Sequence, residues 1–90
     1  MNSRTTARLR ETFAELSQSI QRQVRRAYRR FKDNPYHPGL PFKRVHATDP
    51  IYSVRINTDY RALGVLDGDE IVWFWIGSHA EYDKLLTKMR

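Results

Sequence analysis

Six consecutive apolar residues, Ile71-Val72-Trp73-Phe74-Trp75-Ile76, constrain the fold of this chain more than any other feature. A strand points alternate side chains to opposite faces, so a run that is apolar at every position needs cover on both. The segment Glu70 to Gly77 therefore reads as a central strand, with Trp73 and Trp75 as core residues rather than a base-stacking platform. Three further segments read as strands: Phe42 to His46, Ile51 to Asn57 and Tyr60 to Leu66. Asn57-Thr58-Asp59 and Asp67-Gly68-Asp69 are hairpin signals, which makes the last three strands an antiparallel meander. Within it, Tyr52, Val54 and Ile56 alternate with Ser53, Arg55 and Asn57, marking one buried and one open face.

The first third of the chain has a different period. Leu16, Ile20, Val24, Ala27 and Phe31 fall in a stripe about 80° wide at roughly 100° per residue. The spacing predicts an amphipathic helix from Ser17, its N-cap, to Asp33. Asn34-Pro35 stops it, because a residue before proline avoids the helical region. A weaker helix, Thr5 to Glu15, precedes it with Leu9, Phe13 and Leu16 as its face, and the two form an αα-hairpin. Residues 34–41, NPYHPGLP, carry three prolines and a glycine and read as a loop. No convincing strand precedes the hairpin; at most Asn2 to Thr6 serves. The expected fold is α+β: a helical hairpin on a small twisted antiparallel sheet of three to four strands, with a short C-terminal helix.

Ninety residues allow a single domain, 1–90. With 40% hydrophobic and 29% charged residues, the composition is that of a packed chain rather than a disordered or membrane one. The N-terminus has no continuous apolar stretch of the signal-peptide kind, and a cytosolic location is expected. The chain has no cysteine, which excludes disulfides, thiol catalysis and thiolate metal sites. Its three histidines lack metal-ligand spacing, so neither a metal nor a cofactor is expected.

The net charge of +6 is placed unevenly. Residues 1–34 hold nine basic groups against three acids, whereas residues 35–90 hold seven of each. Arg22, Arg25, Arg26 and Arg29 lie opposite the apolar stripe, and with Arg30 they make five arginines with no acid among them before Asp33. Such a face draws nucleic acid, an acidic protein or an anionic surface, and a solvated outer face is the plainer reading. Lys43 and Arg44 add a smaller basic step after the loop.

Two constellations carry candidate chemistry. If Asn57-Thr58-Asp59 is a three-residue hairpin loop, Arg55 lies directly opposite Arg61. Like charges so placed are destabilising, and an anion between them relieves the repulsion. Local carboxylates such as Asp59 or Glu81 are the alternative partners, and a one-residue slip in register dissolves the pair. The second constellation is Gly77-Ser78-His79-Ala80-Glu81-Tyr82. Ser78 and Glu81 form a capping box, so a helix starts at His79. There the helix dipole favours the neutral imidazole while Glu81 favours the charged one. A histidine beside two arginines suits general acid–base work. Tyr82, Leu85, Leu86 and Met89 recur at helical spacing, which marks Tyr82 as core first. His37 and His46 read as loop or surface residues.

Over nearly its whole length the chain resembles the RelE/ParE superfamily of type II toxin–antitoxin toxins. NPYHPGLPFKRV, YSVRINTDYRALGV and IVWFWIGSHAEYDKLL carry the resemblance, the last being similar to the ending of histidine-bearing RelE-like mRNA interferases. The resemblance implies a cytoplasmic, metal-independent endoribonuclease that cuts mRNA on the ribosome by 2′-OH attack on the adjacent phosphate, silenced by a cognate antitoxin. It assigns His79 as acid or base, Arg55 and Arg61 as charge stabilisers and Tyr82 as a base-stacking or orienting residue. Arg22, Arg25, Arg26, Arg29, Arg30, Lys43 and Arg44 become RNA contacts. Ser53 departs from the pattern, standing where lysine-rich relatives carry a second cation. A ParE-like inhibitor of DNA gyrase, with no need of His79, and an inactive binding module on the same fold are the alternatives.

Overall fold

The computed structural model describes residues 1–89. Its elements follow the order β1 (Asn2–Thr5), α1 (Ala7–Ala14), α2 (Gln18–Asp33), β2 (Phe42–Arg44), β3 (Ile51–Arg55), β4 (Tyr60–Asp67), β5 (Glu70–Ser78) and α3 (His79–Met89). The five strands form one sheet in the order β1-β5-β4-β3-β2. The β3-β4-β5 meander and the helical hairpin stand where the sequence periods put them. Ser17 caps α2 by accepting the Ile20 N–H, and Thr6 caps α1 by accepting that of Leu9.

The sheet departs from expectation at its first edge. Asn2–Thr5 does form a strand, and it pairs parallel to β5, so the sheet is mixed and has five strands rather than three or four antiparallel ones. No hydrophobic alternation announces β1, since Asn-Ser-Arg-Thr is polar throughout. The ladder holds it, together with the Asn2 N–H on the Asp69 carbonyl at 2.8 Å and the Thr6 N–H on that of Trp73 at 3.0 Å. Ser3 Oγ ties it inward, accepting from Trp73 Nε1 and donating to the Tyr28 hydroxyl, each at 3.1 Å. Strands β2 and β3 are shorter than expected, ending at Arg44 and Arg55.

Two cores lie on opposite faces of the sheet. Leu9, Ala27 and Phe31 from the hairpin pack on Val54, Ala62, Ile71, Trp73 and Ile76. Phe31 meets Phe42 and Trp73 edge-on at 5.1 and 5.2 Å. On the other face, Tyr82, Leu85, Leu86 and Met89 of α3 cover Ile51 and Leu63. The face expected to be open is therefore half covered: Ser53 is 3% exposed and Leu63 fully buried. Its end, where Arg55 and Arg61 stand, reaches solvent.

A bulge explains how one strand serves both cores. Leu63 pairs with Trp75 and the next residue, Gly64, pairs with Trp73, which leaves Phe74 as an extra residue in β5. Trp73 consequently points to the helical hairpin, Trp75 to α3 and Ile76 back to the hairpin. Gly64 accommodates the crossing. A Cβ there would lie 2.8 Å from both Ile71 Cγ1 and Trp73 Cε3.

Candidate active site and basic groove

The β3-β4 hairpin fixes the first part of the site. Its loop is the three-residue Asn57-Thr58-Asp59, and Arg55 faces Arg61 across the ladder. Asn57 builds the turn: its Oδ1 accepts the Asp59 and Tyr60 N–H groups at 2.8 and 2.9 Å. Its Nδ2 donates to Gln23 Oε1 at 2.6 Å, which fastens the loop to α2. The Arg61 guanidinium curls over the same loop, Nη1 donating to the carbonyls of Asn57 at 2.6 Å, Tyr60 at 3.1 Å and Thr58 at 3.3 Å. Among the described residues its Nε and Nη2 have no protein acceptor, and no nitrogen of the Arg55 guanidinium has one. No carboxylate of the described residues comes within 4.0 Å of either arginine, so neither Asp59 nor Glu81 pairs with them.

The β5-α3 junction supplies the rest. Arg61 is opposite Gly77, so Arg55, Arg61 and Gly77 form a row across three strands on the face that α3 partly covers. A Cβ on Gly77 would sit 2.6 Å from Trp75 Cζ2 and 3.3 Å from Glu81 Oε1, so the bare backbone makes room for the turn into the helix. The capping box forms as the sequence predicts. Glu81 Oε1 accepts the Ser78 N–H and hydroxyl at 3.1 and 2.9 Å, and Ser78 Oγ accepts the Glu81 N–H at 3.2 Å. These bonds, first the backbone N–H and then the hydroxyl, hold the Glu81 carboxyl below the usual carboxylate range, helped by Lys84. Glu81 is thus an anion committed to the cap.

His79 opens α3, and its N–H reaches the Asp59 carbonyl at 2.6 Å, which places it beside the loop over which Arg61 curls. Its exposed ring is held on two sides. Nε2 lies 3.3 Å from Asp83 Oδ2, one turn along the helix, and the ring stacks on Tyr82 with centroids 6.1 Å apart at 23°. With Nε2 turned to Asp83, Nδ1 is the free nitrogen. Tyr82 itself is 6% exposed within the α3 core, where it can steady His79 but offers no face to a base.

The remaining basic residues divide into separate groups. Arg22, Arg26 and Arg30, one turn apart on α2, line a groove of about 310 Å³ whose other side includes Arg55. Arg25 lies 5.2 Å over the Phe13 ring, by the opposite rim of α2, and Arg29 is exposed outside the groove. Lys43, opposite Ser53, shares the face of Arg55 and Arg61. Arg44 is drawn away, donating to the carbonyls of His46 and Thr48, each at 3.1 Å. Sequence reasoning missed Asn57, Gln23 and Asp83. The four-residue spacing of His79 and Asp83 on a helix was a legible signal, whereas nothing local links Gln23 to Asn57. Among the described residues, no group of three or more His, Cys, Asp or Glu is placed to hold a metal ion. No helix of the described residues is long and apolar enough to cross a membrane.

Comparison with known proteins places this geometry. No curated protein matches the sequence. Among solved structures, the RelB–RelE antitoxin–toxin complex of Methanococcus jannaschii is similar at a TM-score of 0.73 and 11% identity, covering 90% of this chain and 95% of that one. The RelE–RelB complex of Pyrococcus horikoshii OT3 gives 0.69 and 12%, covering 86% and 92%. The YoeB/ParE toxin from Agrobacterium tumefaciens gives 0.69 and 13%, covering 88% and 99%. At these identities the likeness speaks for a common RelE-like fold. The ParE-like toxin domain matches residues 18–84, from the first turn of α2 into α3, and so the chain belongs to the ParE-like family of the RelE/ParE superfamily of toxin–antitoxin toxins.

Proposed function

We propose that this toxin is a ribosome-dependent endoribonuclease that cleaves mRNA by attack of a 2′-OH on the adjacent phosphate, and that a cognate antitoxin silences it in the cytoplasm. One observation carries the reading. Two arginines face each other across β3 and β4 with no carboxylate of the described residues within 4.0 Å of either, next to an exposed histidine. A pair of like charges held this way is costly without an anion, and a phosphate fits the fork of each guanidinium.

In this reaction the 2′-O–P bond forms as the P–O5′ bond breaks, leaving a 2′,3′-cyclic phosphate and a 5′-OH. Arg55 and the free Nε–H and Nη2–H groups of Arg61 bind the negative charge that builds on the phosphorane oxygens. His79 Nδ1 moves one of the two protons, either from the 2′-OH or to the 5′ oxygen, and water carries the other. Asp83 and Tyr82 hold the imidazole in place. Support for an antitoxin partner comes from the similar folds in Methanococcus jannaschii and Pyrococcus horikoshii OT3, both of which are RelE–RelB complexes.

The test is inducible expression in a bacterial host of the wild type beside His79→Ala and Arg61→Ala, with primer extension on a translated message. Growth arrest with cleavages that vanish in both variants is the expected result. The ParE-like description of the matching family favours a second reading, inhibition of DNA gyrase without catalysis. Arrest without cleavage, unchanged in His79→Ala, would establish that reading in place of the first.

A further inference from the structure

The groove beside α2 asks for an explanation of its own. Arg22, Arg26 and Arg30 repeat every four residues, so their positions rise about 6 Å per step along one side of the helix. Such i,i+4 like-charge pairs disfavour the helix that carries them. Among the described residues none of the three, nor Arg55 across the groove, comes within 4.0 Å of a carboxylate. Of the other arginines near α2, Arg25 lies over Phe13, Arg10 on the Thr5 carbonyl at 2.6 Å and Arg61 on its loop, while Arg29 is exposed outside the groove. Four free guanidinium groups around about 310 Å³ form a concentrated positive site.

We propose that this groove holds the phosphodiester backbone of a single strand of RNA, the same strand whose scissile phosphate lies between Arg55 and Arg61. This rests on the ribonuclease reading and adds where the substrate runs. Arg55 is the link, lining the groove and facing Arg61 across the ladder. A strand lying on Arg61 and Arg55 continues past Arg26 with one phosphate for each turn of α2. An acidic peptide fits the charge equally well but not the walls. Peptides bind through apolar anchors set in pockets, and the polar groove offers only Leu40, Ala27 and Ile56 at its base. Arginine is the side chain suited to successive phosphates, since each planar fork takes two oxygens.

The experiment measures anisotropy of a dye-labelled 12-nucleotide RNA with every 2′-OH methylated, so that binding is read with no cleavage possible. Wild type, the triple variant Arg22→Gln/Arg26→Gln/Arg30→Gln and the control Arg8→Gln, an exposed position on α1, are compared between 50 and 200 mM salt. Each lost phosphate contact lowers the slope of log affinity against log salt by about 0.7, so the triple variant should lose about 2. The wild type's advantage over it should then shrink roughly 20-fold across that salt range, with Arg8→Gln indistinguishable from wild type. An unchanged slope in the triple variant overturns the proposal. So does tighter binding of a duplex of the same sequence, which would make the groove a reader of folded RNA. Equal competition by a glutamate-rich peptide would assign it to an acidic protein instead. Absence of cleavage by the wild type in cells, beside a triple variant that still loses the slope, refutes the ribonuclease reading and leaves the groove standing.

Discussion

If Arg55 and Arg61 are held apart from any carboxylate for the sake of an anion, the free protein should be less stable for having both. The clean perturbation is Arg55→Gln. It keeps most of the side chain's length, removes the charge and breaks no hydrogen bond, because the Arg55 guanidinium has no protein partner among the described residues. Cross-strand pairs of like charge cost up to about 1 kcal/mol, and Coulomb's law in water gives a similar figure, near 0.8 kcal/mol at 5 Å. The curled Arg61 side chain moves its charge toward the loop, and Arg55 is exposed, so about 0.5 kcal/mol is the reasonable share. For a domain of 60–100 residues 1 kcal/mol moves Tm by about 4–8 °C, so Arg55→Gln should melt roughly 2–4 °C above wild type at low salt. The same scan in 0.5 M salt should erase most of the gain, since screening then acts within a few ångström. Arg61→Gln should show no gain, because it gives up three bonds to loop carbonyls. A lower Tm for Arg55→Gln, or a gain that ignores salt, would refute the view that the pair is a stored repulsion awaiting an anion.

Four further outcomes follow from the same geometry. Asn57→Ala removes two backbone caps and the bond to Gln23, and urea unfolding should show a loss of about 2 kcal/mol, with Gln23→Ala losing less. Gly64→Ala places a methyl 2.8 Å from Ile71 and Trp73 and should cost about 1–3 kcal/mol, read as a lower urea midpoint at constant m. Ser78→Ala should cost about 1 kcal/mol at neutral pH. Because folding lowers the Glu81 pKa, its contribution is fully present above the ordinary value of 4.5 and is lost as pH falls through the folded value. The gap between wild type and Glu81→Gln should therefore narrow below about pH 4.5, and a gap that widens on acidification would contradict the cap.

What the sequence disclosed, it disclosed through period and local chemistry. The α2 stripe, the Ser17 cap, the capping box at Ser78 and the three-residue hairpin are local patterns, and each set a position to within a residue or two. The Arg55–Arg61 pairing followed from loop length alone, because register is arithmetic once a hairpin is closed. What stayed hidden depends on contacts between distant segments. Polar β1 is a strand only because β5 offers it an edge, and Gln23 finds Asn57 only after α2 has docked. The burial of Ser53 and the division of the arginines into groove, rim and loop groups likewise need the helices in place.

The Phe74 bulge shows why the site sits where it does. Without it, Ile71, Trp73 and Trp75 would all point to one face by simple alternation, and α3 would lose Trp75 as its anchor beside Tyr82. The extra residue turns Trp75 over, and the last four residues of β5 then run from the α3 core to the solvent edge. There Gly77 and Ser78 hand the chain to His79, next to the hairpin loop over which Arg61 curls. The same displacement leaves Ile76 in the hairpin core under α2, so that one strand fixes the helix bearing the basic groove and the helix bearing the histidine. Any change that straightens β5 should then disturb both at once, which is why Gly64, packed against the residues just before the bulge, has no room for a side chain.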